Sequence, residues 1–175
     1  MGIEKLKHKW KAPDPGWIKI NVVGAYSEQS EHAGIGVVIR NSNGKVLLSA
    51  WRVIFAAVSA EEVEALACKE GVALAVEWAS EPVILESDCA AVIQYIKEAS
   101  KVRPPCLFTI LEAKRLAESL RGFVLSHVRR EQNVVAHELA QVAKRLNHTA
   151  VWCHRSPTCI EHLVAHDCKT LGSNQ

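Results

Sequence analysis

An aspartate closes the short apolar run Pro82-Val83-Ile84-Leu85-Glu86-Ser87-Asp88. The run is uninterrupted, as a strand covered on both faces would be, and open α/β sheets place their sites at the carboxyl ends of central strands. A carboxylate there suits cation binding, though Asp88 is equally placed to cap a following helix. The charges around it are segregated. Residues 61 to 88 carry Glu61, Glu62, Glu64, Glu70, Glu77, Glu81, Glu86 and Asp88 against Lys69, while residues 97 to 145 are rich in Lys and Arg, with Arg129-Arg130 adjacent. An acidic focus beside a basic stretch suits a metal site next to a phosphate track, and solvated helix faces account for the same charges as well. The tail holds Cys153, His154, Cys159, His162, His166 and Cys168. Cys159-x2-His162 and His162-x3-His166 are zinc-compatible spacings, but there is no paired knuckle, so zinc is not expected and Cys159–Ala165 reads as a short packing helix.

The elements that must position these groups follow from periodicity. Ile18, Ile20 and Val22 alternate with Lys19, Asn21 and Val23, a strand with two distinct faces. Gly34–Ile39 and Val46–Trp51 flank Asn41-Ser42-Asn43-Gly44, a hairpin signal, so the first three strands form an antiparallel meander. A helix capped by Ser59 runs to Trp78, burying Val63, Ala67, Gly71, Leu74, Ala75 and Trp78. After the Val83–Asp88 strand, Cys89, Val92, Ile93 and Ile96 mark a short helix. Leu107, Ile110, Leu111 and Leu116 mark another, Phe123–Val128 a fifth strand, and Val135, Leu139, Val142, Ala143 and Leu146 a last helix. The order is β, β, β, α, β, α, α, β, α.

Composition narrows the classes. A chain of 175 residues, 49% hydrophobic, supports one core, and a net charge of +2 neither requires nor excludes nucleic acid. Residues 1–16 read as a flexible lead-in, 17–147 as the domain and 148–175 as a C-terminal extension. Without a signal-type core near the start or a run of roughly 20 apolar residues, an intracellular protein, nuclear or cytoplasmic, with no membrane partner is expected. The six dispersed cysteines read as reduced thiols.

Five stretches together resemble the ribonuclease H family: Trp17–Ala25, Gly34–Asn41, Ala60–Ala75, Glu86-Ser87-Asp88 and His127–Ala140. Within it they look like the plant, retroelement-derived type 1 branch found at the end of reverse-transcriptase-like proteins. The resemblance spans roughly Trp10 to Leu146. It implies an α/β, ribonuclease H-like fold: a five-stranded mixed sheet, antiparallel meander plus parallel strands, flanked by helices. It also implies hydrolysis of the RNA strand of an RNA–DNA hybrid by two Mg²⁺ or Mn²⁺ ions, about 3.5 to 4 Å apart, held by four carboxylates. Two of the four carry over, to Glu64 and Asp88. At the first-strand position the family's Asp is replaced by Val23, and in the last helix by His137. Val23 cannot ligate a hard cation. Asn21 offers an amide oxygen on the same face, displaced along the strand by about 6 to 7 Å. His137 suits a softer metal or a base. Arg130 and Asn133 match the family's Arg-Glu-x-Asn segment and, with Arg129, are the nucleic-acid-binding candidates, with helix capping the alternative for Asn133.

The expectation is therefore a domain that binds RNA–DNA hybrid or double-stranded nucleic acid, with any Mg²⁺ or Mn²⁺ held weakly by Glu64 and Asp88 and cleavage impaired. Val23 and His137 are expected to line the same cleft. The alternatives are an active hybrid ribonuclease with an altered metal shell, and a module that keeps the fold for a protein partner.

Overall fold

The computed structural model describes residues 9–30, 32–101 and 106–169. Strands β1 (Ile18–Ala25), β2 (His32–Arg40) and β3 (Val46–Phe55) form the antiparallel meander, turned at Gly44, whose φ of 78° is open to glycine. Helix α1 (Ala60–Trp78) then crosses to β4 (Val83–Ser87), which lies parallel to β1 with Val22 opposite Ser87. Helices α2 (Ala90–Lys97) and α3 (Leu107–Ala117) lead to β5 (Phe123–His127), parallel to β4. Helix α4 (Val134–Leu146) follows. Because β1 and β4 are parallel, their carboxyl ends emerge together, and Val23 and Asp88 are the next residues past the last paired rung.

The sequence reading of five strands is short by one. β6 (Ala150–Cys153) pairs antiparallel with β3, giving the order β5-β4-β1-β2-β3-β6, and α5 (Thr158–Lys169) packs on α4. The extension is thus part of the fold: Ile160 is fully buried and Asp167 is 2% exposed. The lead-in needs the same correction over its described part, because Trp10 is 1% exposed. Residues 1–8, 31, 102–105 and 170–175, which include Arg103 of the basic stretch, lie outside the described residues.

The sheet separates two cores. On one face Ile18, Ile20, Val22, Val37 and Leu85 pack with Val63, Ala67 and Val72 of α1 and Ile110 of α3. On the other, Val23, Ala25, Val38 and Trp51 meet Val135, Ala136, Leu139 and Ala143 of α4. Gly34 and Gly36 let α4 descend onto β2: a Cβ on Gly36 would strike the carbonyl oxygen of Ala136, and one on Gly34 that of Ala140. α1 begins as its sequence predicts, with Ser59 Oγ accepting from the Glu62 N–H at 3.1 Å. Trp78, expected on its buried face, is 57% exposed, since the buried stripe ends at Ala75 and Trp78 is the helix's last residue. Among the described residues no helix is long and apolar enough to cross a membrane.

A polar network fills the α5 side of the second core. Trp10 Nε1 donates to Asn21 Oδ1 (3.0 Å), Asn21 Nδ2 to Glu86 Oε1 (2.9 Å), and Lys19 Nζ pairs with Glu86 Oε2 (3.1 Å). The Arg40 guanidinium stacks 3.8 Å from the Trp10 ring centroid, donates to Asn21 Oδ1 (3.3 Å) and pairs with Asp167 at 2.7 Å. Burial lowers the Arg40 pKa against the pull of Asp167.

Candidate functional site

Most of the acidic focus is structural. Glu61 accepts from Tyr95 of α2, Glu62 from the Val58 N–H, Glu70 pairs with Arg52 of β3, and Glu86 is consumed by Lys19 and Asn21. Two carboxylates stand apart. Glu64 Oε2 and Asp88 Oδ1 are both buried without a hydrogen-bond partner. Such atoms are costly unless something fills the gap.

Glu64 sits in the second turn of α1 where that helix touches β1, and a Cβ on Gly24 would lie 2.6 Å from the Glu64 nitrogen. This contact lets the Gly24 N–H hydrogen-bond the Glu64 carboxylate. Burial nevertheless pushes the Glu64 carboxyl up to about 8, with the Asp88 charge adding to the rise and Gly24 and Arg130 opposing it. Asp88 is not the cap of α2. Cys89 holds that position, and Ser87 Oγ accepts the Cys89 N–H at 3.1 Å, leaving the Asp88 carboxylate uncommitted to the helix. Its carbonyl meets His127 Nε2 at 3.2 Å. His137, in the first turns of α4, lies within electrostatic reach of Asp88 and Arg130. Burial first, then Arg130, lowers its pKa, with the Asp88 and Glu138 charges opposing.

Glu64, Asp88 and His137 are thereby gathered at the carboxyl ends of β1 and β4, with Arg130 at their side. Val23 is not on a cleft wall with them. It is 3% exposed and packs in the cluster that contains Val38, Val135 and Ala136, an apolar position turned toward α4. Asn21 is no substitute donor either: its amide oxygen already accepts from Trp10 and Arg40.

Asn133 is 1% exposed and so offers no surface to nucleic acid, which corrects the sequence reading. It does not cap α4 with its side chain; Asn133 Nδ2 donates instead to the Val22 carbonyl at 2.9 Å, tying the start of α4 to β1. Arg129 and Arg130 are exposed on the turn before it. Gln132 in the same turn was missed by sequence reasoning. Its Oε1 accepts the Arg129 N–H (3.2 Å) and its Nε2 donates to the Lys9 carbonyl (3.4 Å), and no periodicity announces a partner so distant in the chain.

The residues present do not fit a pair of ions held by four carboxylates. Val23 supplies no donor, and among the described residues no group of three or more His, Cys, Asp or Glu is arranged to hold a metal. Cys159, His162 and His166 ride on α5.

The fold these elements define is ribonuclease H-like. RNase H1 from the halophilic archaeon Halobacterium salinarum superposes with a TM-score of 0.67 at 21% identity, covering 73% of this chain and 97% of the other. An RNase H1 isolated from compost by a metagenomic approach gives 0.69 at 22%, covering 75% and 98%, and its structure in complex with an RNA/DNA hybrid gives 0.63 at 22%, covering 74% and 98%. No curated protein matches the sequence. The family described as reverse transcriptase-like matches residues 21–143, and the chain belongs to it.

Proposed function

We propose that this protein is a nucleic-acid-binding domain of the RNA–DNA hybrid class in which metal-dependent cleavage of the RNA strand has been lost. The observation that carries the reading is Val23: an apolar side chain, 3% exposed among Val38, Val135 and Ala136, stands where the family's enzymes present a carboxylate. Binding is supported by the family and by the hybrid held in the compost RNase H1 structure, together with the exposed Arg129-Arg130 turn beside Asp88 and His137. Two-metal hydrolysis stabilises both the attacking and the leaving oxygen, and each ~1.4 kcal/mol forfeited is tenfold in rate. With Glu64 and Asp88 alone as carboxylate donors, Mg²⁺ or Mn²⁺ would be held weakly.

The test joins a hybrid-binding titration to a cleavage assay with Mg²⁺ and with Mn²⁺. Salt-sensitive binding with cleavage at background is expected from the parent protein with either ion. Robust cleavage by the parent protein that disappears in Asp88→Asn would overturn the reading.

A further inference from the structure

Residues 9–11 cross the sheet's second face as a strap, and its fastening is specific. Trp10 is inserted to 1% exposure, hydrogen-bonded to Asn21 and stacked on Arg40. The Lys9 carbonyl accepts from Gln132, and the Lys11 carbonyl from Lys19 Nζ. With Trp10 inward, Lys9 is half-buried and Lys11 exposed, and neither ammonium has a carboxylate partner among the described residues. Gln132 fastens this strap to the very turn that presents Arg129 and Arg130, since its other amide atom accepts the Arg129 N–H.

We propose that Lys9 and Lys11 form a second phosphate-contacting segment, continuous with the Arg129-Arg130 turn, so that a bound nucleic-acid backbone is followed from the carboxylate end of the sheet onto its flank. The inference rests on the nucleic-acid reading above and specifies the residues that extend it. The nearby acids do not cancel the strap: Glu86 is 6% exposed and satisfied by Lys19 and Asn21, leaving Glu131 and Asp14 as the exposed carboxylates close in sequence to the turn and the strap. In the sequence Lys5 and Lys7 continue the alternate spacing of Lys9 and Lys11. Contacts of this kind carry no base specificity and show themselves in salt dependence.

Fluorescence anisotropy with an RNA–DNA hybrid, repeated over a salt series, reads this directly. Lys9→Gln with Lys11→Gln, leaving Trp10 in place, should weaken binding evenly across hybrid sequences and reduce the slope of log K against log salt by about 2, roughly one per lysine. Lys45→Gln, on the β2–β3 turn at the other end of the sheet, should leave the slope as it was, and thermal melts should show all three proteins folded. A parent that binds with a steep slope and a double variant with the same slope would overturn the strap while leaving the nucleic-acid reading standing. A parent that binds no hybrid at any salt would remove both.

Discussion

Glu64 is the residue whose chemistry the fold has altered most. Its carboxyl lies at about 8 against an ordinary 4.5, chiefly through burial, so in the folded protein it keeps its proton across a range in which the unfolded chain has lost it. Below about 4.5 both states are protonated and Glu64 costs nothing; as pH rises toward 8 the folded state is progressively penalised. Glu64→Gln should therefore gain stability over the parent at pH 8, on the order of a few kcal/mol, and little at pH 4.5. Urea midpoints at the two pH values check it, and a gain equal at both would refute the assignment. His137 has the opposite sign: with its pKa lowered, its contribution falls away as pH drops below the ordinary 6.5. Glu64 and Asp88 could be named from sequence because each sits inside a family motif. The fate of Val23 and Asn133 could not, because whether a side chain faces a cleft or a helix depends on where α4 crosses the sheet.

That crossing is decided by an element contact, the bare backbone of β2 under α4. Gly36→Ala would place a methyl group against the Ala136 carbonyl oxygen, which belongs to helix backbone and cannot swing aside. A loss of about 1–3 kcal/mol in stability is expected, as for other overpacked interiors, together with reduced order at His137 as the helix lifts. Chemical denaturation and the chemical shifts of the His137 ring would report the two effects; an unchanged midpoint would mean the helix can shift freely. The elements themselves were largely legible: the alternation of Ile18 to Val23, the Asn43-Gly44 turn and the Ser59 cap each carry their own local signal. β6 escaped because Ala150–Cys153 is four residues long, with no alternation to read and its partner about 100 residues earlier. The glycines at 34 and 36 read as strand residues, since the helix that needs them is remote in sequence.

Among the described residues, Trp10 from the start of the chain and Asp167 of α5 meet in one buried network around Arg40. Arg40 is 1% exposed in its side chain and Asp167, 127 residues away, 3%, so the charges are exchanged in a dry setting. Removing one member of such a pair strands the other, at a cost of about 3–5 kcal/mol. Asp167→Ala is accordingly expected to lower the unfolding free energy read from urea denaturation by that much, whereas an equivalent change at the surface pair Arg145–Glu138 should cost under about 1 kcal/mol. Equal losses at the two sites would show that Arg40 finds another acceptor. The same network fixes where the described chain enters and leaves. Lys9 lies beside Gln132, at the carboxylate end, while Cys168 Sγ reaches the Gly44 carbonyl at the far turn. A surface anchor or fluorophore attached through the α5 end would hold the molecule by its back, leaving Glu64, Asp88 and the arginine turn presented outward, and one attached ahead of Lys9 would stand in the doorway.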